Sequence, residues 1–295
     1  MVAARRRTAL EGEAPRWSKE VGAGTQKPIN WWKPVRTSTW NVRSVLGESD
    51  LLIMATDAAN EQLALCGIQE CGWEGEGRRE AGDYVWYGGG ALQSTEPGHR
   101  NRYYGGAAVG VHKSLDAAVI KTVHKGGRVQ LVMIRGARGK PLVFGSLYAP
   151  TEGHSEEVKQ NFWSDVSAAL TEIGLRNRDA LMLPGDFNGE TGRQVRDNAD
   201  EDDVDVLEPA VGQWGVGEPN DNGQRLVEMC EQNGWFVANS LINRPPTSRW
   251  TFRGVFGVSA ETGKRQRREY DHFLCGANLR GRLSDVRNRW DSHQA

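Results

Sequence analysis

Cysteine, long apolar runs and net charge are all scarce in this chain, and each shortage removes a class of protein. Four Cys, at positions 66, 71, 230 and 275, are spread through 295 residues. That is no disulfide framework, and the absence of a Cys-x-x-Cys pair argues against structural zinc. Cys66 and Cys275 sit in apolar strand-like runs, where cysteine behaves as a small buried hydrophobe, so a reducing compartment fits. No stretch approaches the roughly 18 apolar residues of a membrane-spanning helix. Lys and Arg number 37 against 38 Asp and Glu, a net charge of −1, so the overall balance does not advertise a nucleic-acid binder; only local patches could. The 36 Gly follow no Gly-X-Y period, which excludes a collagen-like fibre and points to many turns. With 38% hydrophobic and 25% charged residues, the chain has the make-up and length to bury a proper core.

Residues 1–36 begin with Arg5-Arg6-Arg7 and continue without an apolar period. They read as a flexible basic extension; Glu11 and Glu13 break the acid-poor pattern of a transit peptide. From residue 37 the texture changes to short apolar runs alternating with amphipathic stretches, one domain over 37–295. Strands are expected over 37–42, 63–69, 107–112, 129–134, 141–149, 181–184, 235–238, 250–252 and 270–274. Helices are expected over 50–60, 156–174 and 222–233; in the second, Val158, Phe162, Val166, Leu170 and Ile173 recur three or four apart. The acidic run 197–208 reads as solvated surface. Several strands are apolar on both faces, which suggests sheets packed together and covered by helices, an α/β layered sandwich.

Polar groups stand where apolar strands end, the place where a rigid scaffold presents functional side chains. Asn41 closes Ser38–Asn41, Glu70 closes Leu65–Glu70 and Tyr148 precedes Ala149-Pro150. Asp186 and Asn188 follow Leu181–Gly185, Asn239 closes Trp235–Asn239, and Asp271 interrupts Arg268–Cys275. Each one alone is an ordinary turn residue; their joint occurrence carries the signal.

The pattern resembles the endonuclease/exonuclease/phosphatase superfamily, which includes abasic-site DNA endonucleases, inositol-phosphate 5-phosphatases and neutral sphingomyelinases. Within it the chain looks most like the endonuclease domain of non-LTR (LINE-type) retrotransposons and the craniofacial development protein 2-like proteins related to them. The resemblance covers roughly 37–275. It rests, in order, on Thr39-Trp-Asn-Val-Arg43, Ile68-Gln-Glu70, Trp73-Glu-Gly-Glu-Gly77, Gly105–Gly110 and Leu147-Tyr-Ala-Pro150. It continues through Gly185-Asp-Phe-Asn-Gly-Glu-Thr-Gly192, Asn220-Asp-Asn-Gly223, Trp250-Thr-Phe252 and Tyr270-Asp-His-Phe273. It implies a four-layer α/β/β/α sandwich of the DNase I type and metal-dependent phosphodiester hydrolysis. That reaction must neutralise an anion, align a water and stabilise a leaving alkoxide.

What the resemblance implies for single residues follows from the matched motifs. Glu70 corresponds to a metal ligand, with Asn41 beside it, a donor set suited to Mg²⁺ with Mn²⁺ as a substitute. Asp186 corresponds to the group that orients or deprotonates the attacking water, helped by Asn188. Tyr148 corresponds to a phosphate contact, and Asp271 to the carboxylate that orients a catalytic histidine. Asn222 and Asn239 fall where the family has amides that line the site or touch the substrate backbone, and Trp250 where an aromatic faces the substrate.

The family's terminal Ser-Asp-His is altered: the chain reads Asp291-Ser292-His293. Two readings are open. Either His293 is the catalytic histidine in a changed motif, or the motif lies further on and the chain is truncated, which would leave the sheet without its last strand. His272 neighbours Asp271 but faces the other side of a strand. The leading functional reading is an Mg²⁺-dependent DNA endonuclease of nicking or abasic-site type, derived from a retrotransposon and working in the nucleus. Lys264–Arg268 with Arg280, Arg282, Arg287 and Arg289 would follow the phosphate backbone. The alternatives are a small-molecule phosphoesterase of the same fold and a catalytically dead nucleic-acid or protein-binding remnant. No membrane contact and no obligate protein partner are expected. No Tyr-x-Asp-Asp polymerase motif is present.

Overall fold

The computed structural model describes residues 6–10, 34–43, 45, 47–93, 103–193, 209–245, 248–258 and 265–290. In chain order the first half comprises β1 (Arg6–Leu10), β2 (Thr37–Asn41), α1 (Glu48–Asn60), β3 (Leu65–Gln69), β4 (Glu76–Ala81), β5 (Tyr84–Gly89), β6 (Leu92–Gln93), β7 (Tyr103–Tyr104), β8 (Ala107–His112) and α2 (Lys113–Asp116). The second half comprises β9 (Val119–Lys125), β10 (Val129–Ile134), β11 (Leu142–Tyr148), α3 (Glu156–Ile173), β12 (Ala180–Asp186), α4 (Asp221–Asn233), β13 (Trp235–Val237), β14 (Phe252–Val258), β15 (Arg265–Arg268), β16 (Asp271–Gly276) and β17 (Val286–Trp290).

Two sheets carry the architecture. One has seven strands in the order β17-β1-β2-β3-β8-β5-β4, the other six in the order β13-β16-β12-β11-β10-β9. Only β2/β3 and β11/β12 are parallel pairs among these neighbours. Each parallel pair is joined by a helical crossover, α1 in the first sheet and α3 in the second, as parallel strands require.

Strand alternation divides the core into layers. Leu65, Val109 and Val111 of the first sheet meet Val132, Ile134, Leu142 and Phe144 of the second in one buried cluster between the sheets. The opposite face of the first sheet, with Trp40, Cys66, Ile68 and Trp86, is covered by Leu51, Met54, Ala55 and Ala58 of α1. The far face of the second sheet, with Leu131, Met133, Val143 and Leu183, is covered by Phe162, Val166 and Leu170 of α3 and by Leu226 and Cys230 of α4. This is the expected α/β/β/α sandwich. A fully buried side chain such as Phe144 is worth roughly 1.5–3 kcal/mol by apolar burial. All four cysteines are buried and unbridged.

The structure departs from the sequence reading at the sheet's outer strands. Arg6–Leu10, placed by the sequence reading within a flexible extension, forms β1 between β2 and β17. Val286–Trp290, read as part of a charged last helix or loop, forms β17 at the edge of the seven-stranded sheet, ahead of Asp291-Ser292-His293. Ala277–Arg282, read as the start of a charged last helix or loop, is a 3-10 turn. Trp250 stands just ahead of β14 rather than in a strand. The acidic run 197–208 and His293 lie outside the described residues. Among those described, no helix is long and apolar enough to cross a membrane.

Candidate active site

The two parallel strand pairs end at the same end of the sandwich, and their last inward-facing residues meet. Asn41 pairs in register with Gln69, one residue before Glu70, and Tyr148 pairs with Asp186. Side-chain hydrogen bonds then cross from sheet to sheet. The Asn41 Nδ2 group donates to Glu70 Oε1 at 2.7 Å and to Asp186 Oδ2 at 2.9 Å. The Tyr148 hydroxyl donates to the same Glu70 oxygen at 3.0 Å. Two carboxylates from different sheets are thus held together by one amide and one phenol.

Backbone geometry serves this arrangement. Glu70 and Asn188 both adopt left-handed conformations, with φ of 55° and 47°, which cost energy in a non-glycine residue and often mark functional turns. The turn at Asn188 directs its N–H to Asp186 Oδ1 at 3.0 Å, while its side-chain amide donates to the Ala149 carbonyl at 2.9 Å. Asp186 therefore has both carboxylate oxygens engaged, and its orientation is set before any substrate arrives.

A buried polar layer lies beneath. Gln69 donates to Thr39 Oγ1 and Ser146 Oγ, each at 2.9 Å, and Ser146 donates to the Ile68 carbonyl at 2.8 Å. A Cβ on Gly67 would lie only 3.2 Å from the Ser146 Cβ, so the sheets approach closely at this point. Every member is bonded, which makes the layer a fixed floor rather than a cavity.

Arg128 caps Tyr148. Its guanidinium carbon lies 4.9 Å from the ring centroid, and Nη1 donates to the Tyr148 carbonyl at 3.2 Å. Burial and the neighbouring charges of Glu70 and Asp186 push the Tyr148 hydroxyl far up from its ordinary value, so it stays a proton donor at neutral pH. Asp271 is the register partner of Asp186 across the antiparallel β12/β16 pair and is buried. Its N–H and that of Tyr270 both donate to Thr251 Oγ1, at 3.0 and 2.8 Å.

The remaining expected residues divide. Asn222 is 1% exposed and donates to the Pro150 and Asn188 carbonyls at 2.7 and 3.4 Å, clamping the two site loops from behind. Asn239, 5% exposed, donates to Glu269 Oε1 and the Asp271 carbonyl and accepts from Phe273 N–H. Both amides face inward and are occupied by protein groups. Trp250 is half-buried. His272 lies on the far face of β16 as alternation demands, fully buried, with Nε2 2.7 Å from the Gly189 carbonyl; burial pulls it down to about 4. Arg280 is occupied by the Pro209 carbonyl and the Phe236 ring.

Sequence reasoning missed Asn220, Thr251 and Arg128. Asn220 caps α4, and its Oδ1 accepts from both Gly223 N–H and Glu190 N–H at 2.9 Å, while its amide donates to the Asn188 carbonyl at 3.0 Å. Gly223 is required there, because a Cβ would lie 1.8 Å from the Glu190 carbonyl. An Asn three residues ahead of a glycine at a helix start was the available signal.

Among the described residues no group of three or more His, Cys, Asp or Glu side chains could hold a metal ion by itself. The set that is present, one glutamate with an amide alongside and a second carboxylate near, still fits Mg²⁺, which takes one or two carboxylates and keeps several waters.

No family model matches the chain. It is 29% identical over 255 residues to craniofacial development protein 2 of Tragulus javanicus, covering 85% of this chain and 38% of the relative. The Bos taurus protein of the same name matches at the same identity and covers 37% of its own length. The chain thus spans well under half of the curated relatives it matches. Among solved structures, an AP endonuclease from Archaeoglobus fulgidus superposes with a TM-score of 0.51 at 15% identity, over 86% of this chain and 98% of that one. These likenesses support the resemblance to the endonuclease/exonuclease/phosphatase superfamily. At that identity the likeness to the archaeal enzyme is one of fold. The two-sheet sandwich accounts for why the four hydrogen-bonded residues come from strand ends in both sheets.

Proposed function

We propose that this chain is an Mg²⁺-dependent phosphodiesterase acting on DNA, a nicking or abasic-site endonuclease of retrotransposon descent that works in the nucleus. The observation that carries the reading is the convergence of Asn41, Glu70, Tyr148 and Asp186 through bonds of 2.7–3.0 Å. The archaeal AP endonuclease with the same fold supports a DNA substrate. Residues 37–295 would form the catalytic domain, with β1 completing its sheet.

Glu70 and Asn41 would hold the metal ion, which supplies charge neutralisation at the scissile phosphate when bound. Asp186, fixed by Asn41 and by the Asn188 N–H, orients the attacking water and accepts its proton. Tyr148, kept protonated by its surroundings, donates to a phosphoryl oxygen as charge develops there. Asp271 would orient His293 for protonation of the leaving alkoxide.

Supercoiled plasmid incubated with Mg²⁺, Mn²⁺ or EDTA tests the reading, alongside Asp186→Ala and His293→Ala. Metal-dependent nicking that falls by about 10²–10⁴-fold in both variants is expected. Loss in Asp186→Ala alone would make His293 dispensable. Turnover of bis(p-nitrophenyl) phosphate without nicking would favour a small-molecule phosphoesterase. DNA binding without any turnover would favour a catalytically dead module.

A further inference from the structure

Glu269 is a charged residue that the site chemistry leaves unused, yet it is 3% exposed and stands two residues ahead of Asp271. Its Oε1 accepts from Asn239 Nδ2 at 3.2 Å, and the same nitrogen donates to the Asp271 carbonyl at 3.0 Å. Its Oε2 lies 3.9 Å from Arg249 Nη1, a guanidinium whose side chain is 4% exposed. Arg249 also donates through Nε to the Arg244 carbonyl at 3.2 Å and through Nη2 to the Ile242 carbonyl. Two residues beyond Arg249 comes Thr251, whose hydroxyl holds the Asp271 N–H. Asp271 is therefore gripped on both peptide groups, through its N–H by Thr251 and through its C=O by Asn239, and each grip leads back to Glu269.

We propose that Glu269 is a positioning residue for the catalytic centre: its ion pair with Arg249 and its bond to Asn239 set the placement of Asp271 beside Asp186. The proposal rests on the function given above. Charged Glu269 balances buried Arg249 and is a strong acceptor for Asn239. Neutral Glu269 gives up its attraction to the buried Arg249 guanidinium 3.9 Å away and is a weaker acceptor for Asn239, so Arg249 shifts and carries the Thr251 segment with it.

Burial holds the Glu269 carboxyl up to about 7, against the pull of Arg249 and Asn239, with Glu190 adding repulsion. The other titratable groups around it are Arg268, which pairs with Glu190, and the buried imidazole of His272 on the far face of β16. Neither replaces Arg249 as its counter-ion. The switch between charged and neutral bracket thus falls near neutral pH.

The test uses the full chain, comparing wild type with Glu269→Gln, a neutral near-isostere, from pH 5.5 to 8.5. Plasmid nicking in Mg²⁺ is expected to show wild-type kcat falling as pH drops through about 7. The variant should stay near the wild-type low-pH rate throughout, with about tenfold lower kcat at pH 8 and KM within twofold. Glu269→Asp should restore part of the pH-dependent component. A Glu269→Gln variant with the wild-type kcat and pH profile would overturn the proposal. A second readout is independent of turnover: the carboxyl ¹³C resonance of Asp271 should carry a titration step near pH 7 in wild type that is absent in Glu269→Gln. If no nicking occurs in any protein, the proposed function fails, and the Asp271 resonance alone decides. The step then supports the positioning role, and identical titrations in the two proteins overturn it.

Discussion

The side-chain amide of Asn41 bridges Glu70 and Asp186, and its 2.9 Å bond to Asp186 joins the ends of the two sheets. One neutral donor thereby holds two carboxylates near each other. Replacing it with a third carboxylate, Asn41→Asp, removes the donor and adds repulsion. In EDTA the variant should lose about 1 kcal/mol or more, at roughly 2–4 °C of melting temperature per kcal/mol. Added Mg²⁺ should raise its melting temperature by more than it raises that of wild type, because a ligand that binds only the folded state stabilises it. Differential scanning fluorimetry across Mg²⁺ concentrations checks both parts; an Mg²⁺ response equal to that of wild type would contradict the assignment.

Tyr148→Phe removes the hydroxyl that donates to Glu70 while leaving the ring under Arg128. Stability should change by no more than about 1.5 kcal/mol, the usual worth of one hydrogen bond. Activity should drop by roughly 100-fold or more if the phenol serves the phosphoryl group. Steady-state nicking with parallel urea denaturation separates the two effects, and a fall in activity that merely tracks unfolding would count against the phosphate contact.

His272 has a pH signature of its own. Burial depresses it to about 4, below the ordinary histidine value of about 6.5. The unfolded chain then binds more protons than the folded one between those two values, so stability rises with pH through that window. The contribution is complete above about 6.5 and is lost progressively as pH falls toward 4. Glu269, raised to about 7, works in the opposite sense, its stabilising share declining as pH climbs from about 4.5 to 7. Urea midpoints for wild type and His272→Gln should therefore differ in slope between pH 4 and 6.5, with the variant flatter. Parallel curves would show that the imidazole is not held neutral.

Arg268 and Glu190 form an ion pair of 2.5 Å that ties β15 to the loop carrying Asn188. The Glu190 side chain is 4% exposed, and burial raises its carboxyl. Arg268→Ala should destabilise by about 1–3 kcal/mol, since it strands a buried carboxylate. Glu190→Gln in the same chain should recover part of the loss. A double-mutant cycle by chemical denaturation reads the coupling, and strict additivity would mean that the pair contributes nothing.

The site was legible because Asn41, Glu70, Tyr148 and Asp186 each end an apolar strand, and strand ends can be read from alternation and composition. The core helices α1, α3 and α4 were legible for the same reason, their apolar residues recurring at helical spacing. The outer strands were not. Arg6–Leu10, Glu76–Ala81 and Arg265–Arg268 are rich in arginine and glutamate, and β4 is exposed along most of its length. A strand such as β4 exists through backbone pairing with a neighbour rather than through an apolar face of its own. Asn222 and Asn239 were expected to line the site or touch the substrate backbone because the family resemblance places such amides there. Burial against carbonyls of distant loops is a tertiary fact that no local pattern carries.

Strand β1 sits between β2 and β17, so the sheet is knit from segments about 280 residues apart. During synthesis β17 is the last of these to leave the ribosome, tens of seconds after β1 at about 5–20 residues per second. Until then β1 keeps one side unpaired, an open template for neighbouring chains. The nascent polypeptide thus carries a sticky margin until residue 290 has emerged, and an early-acting chaperone that shields it would raise the yield of folded protein without altering the finished molecule.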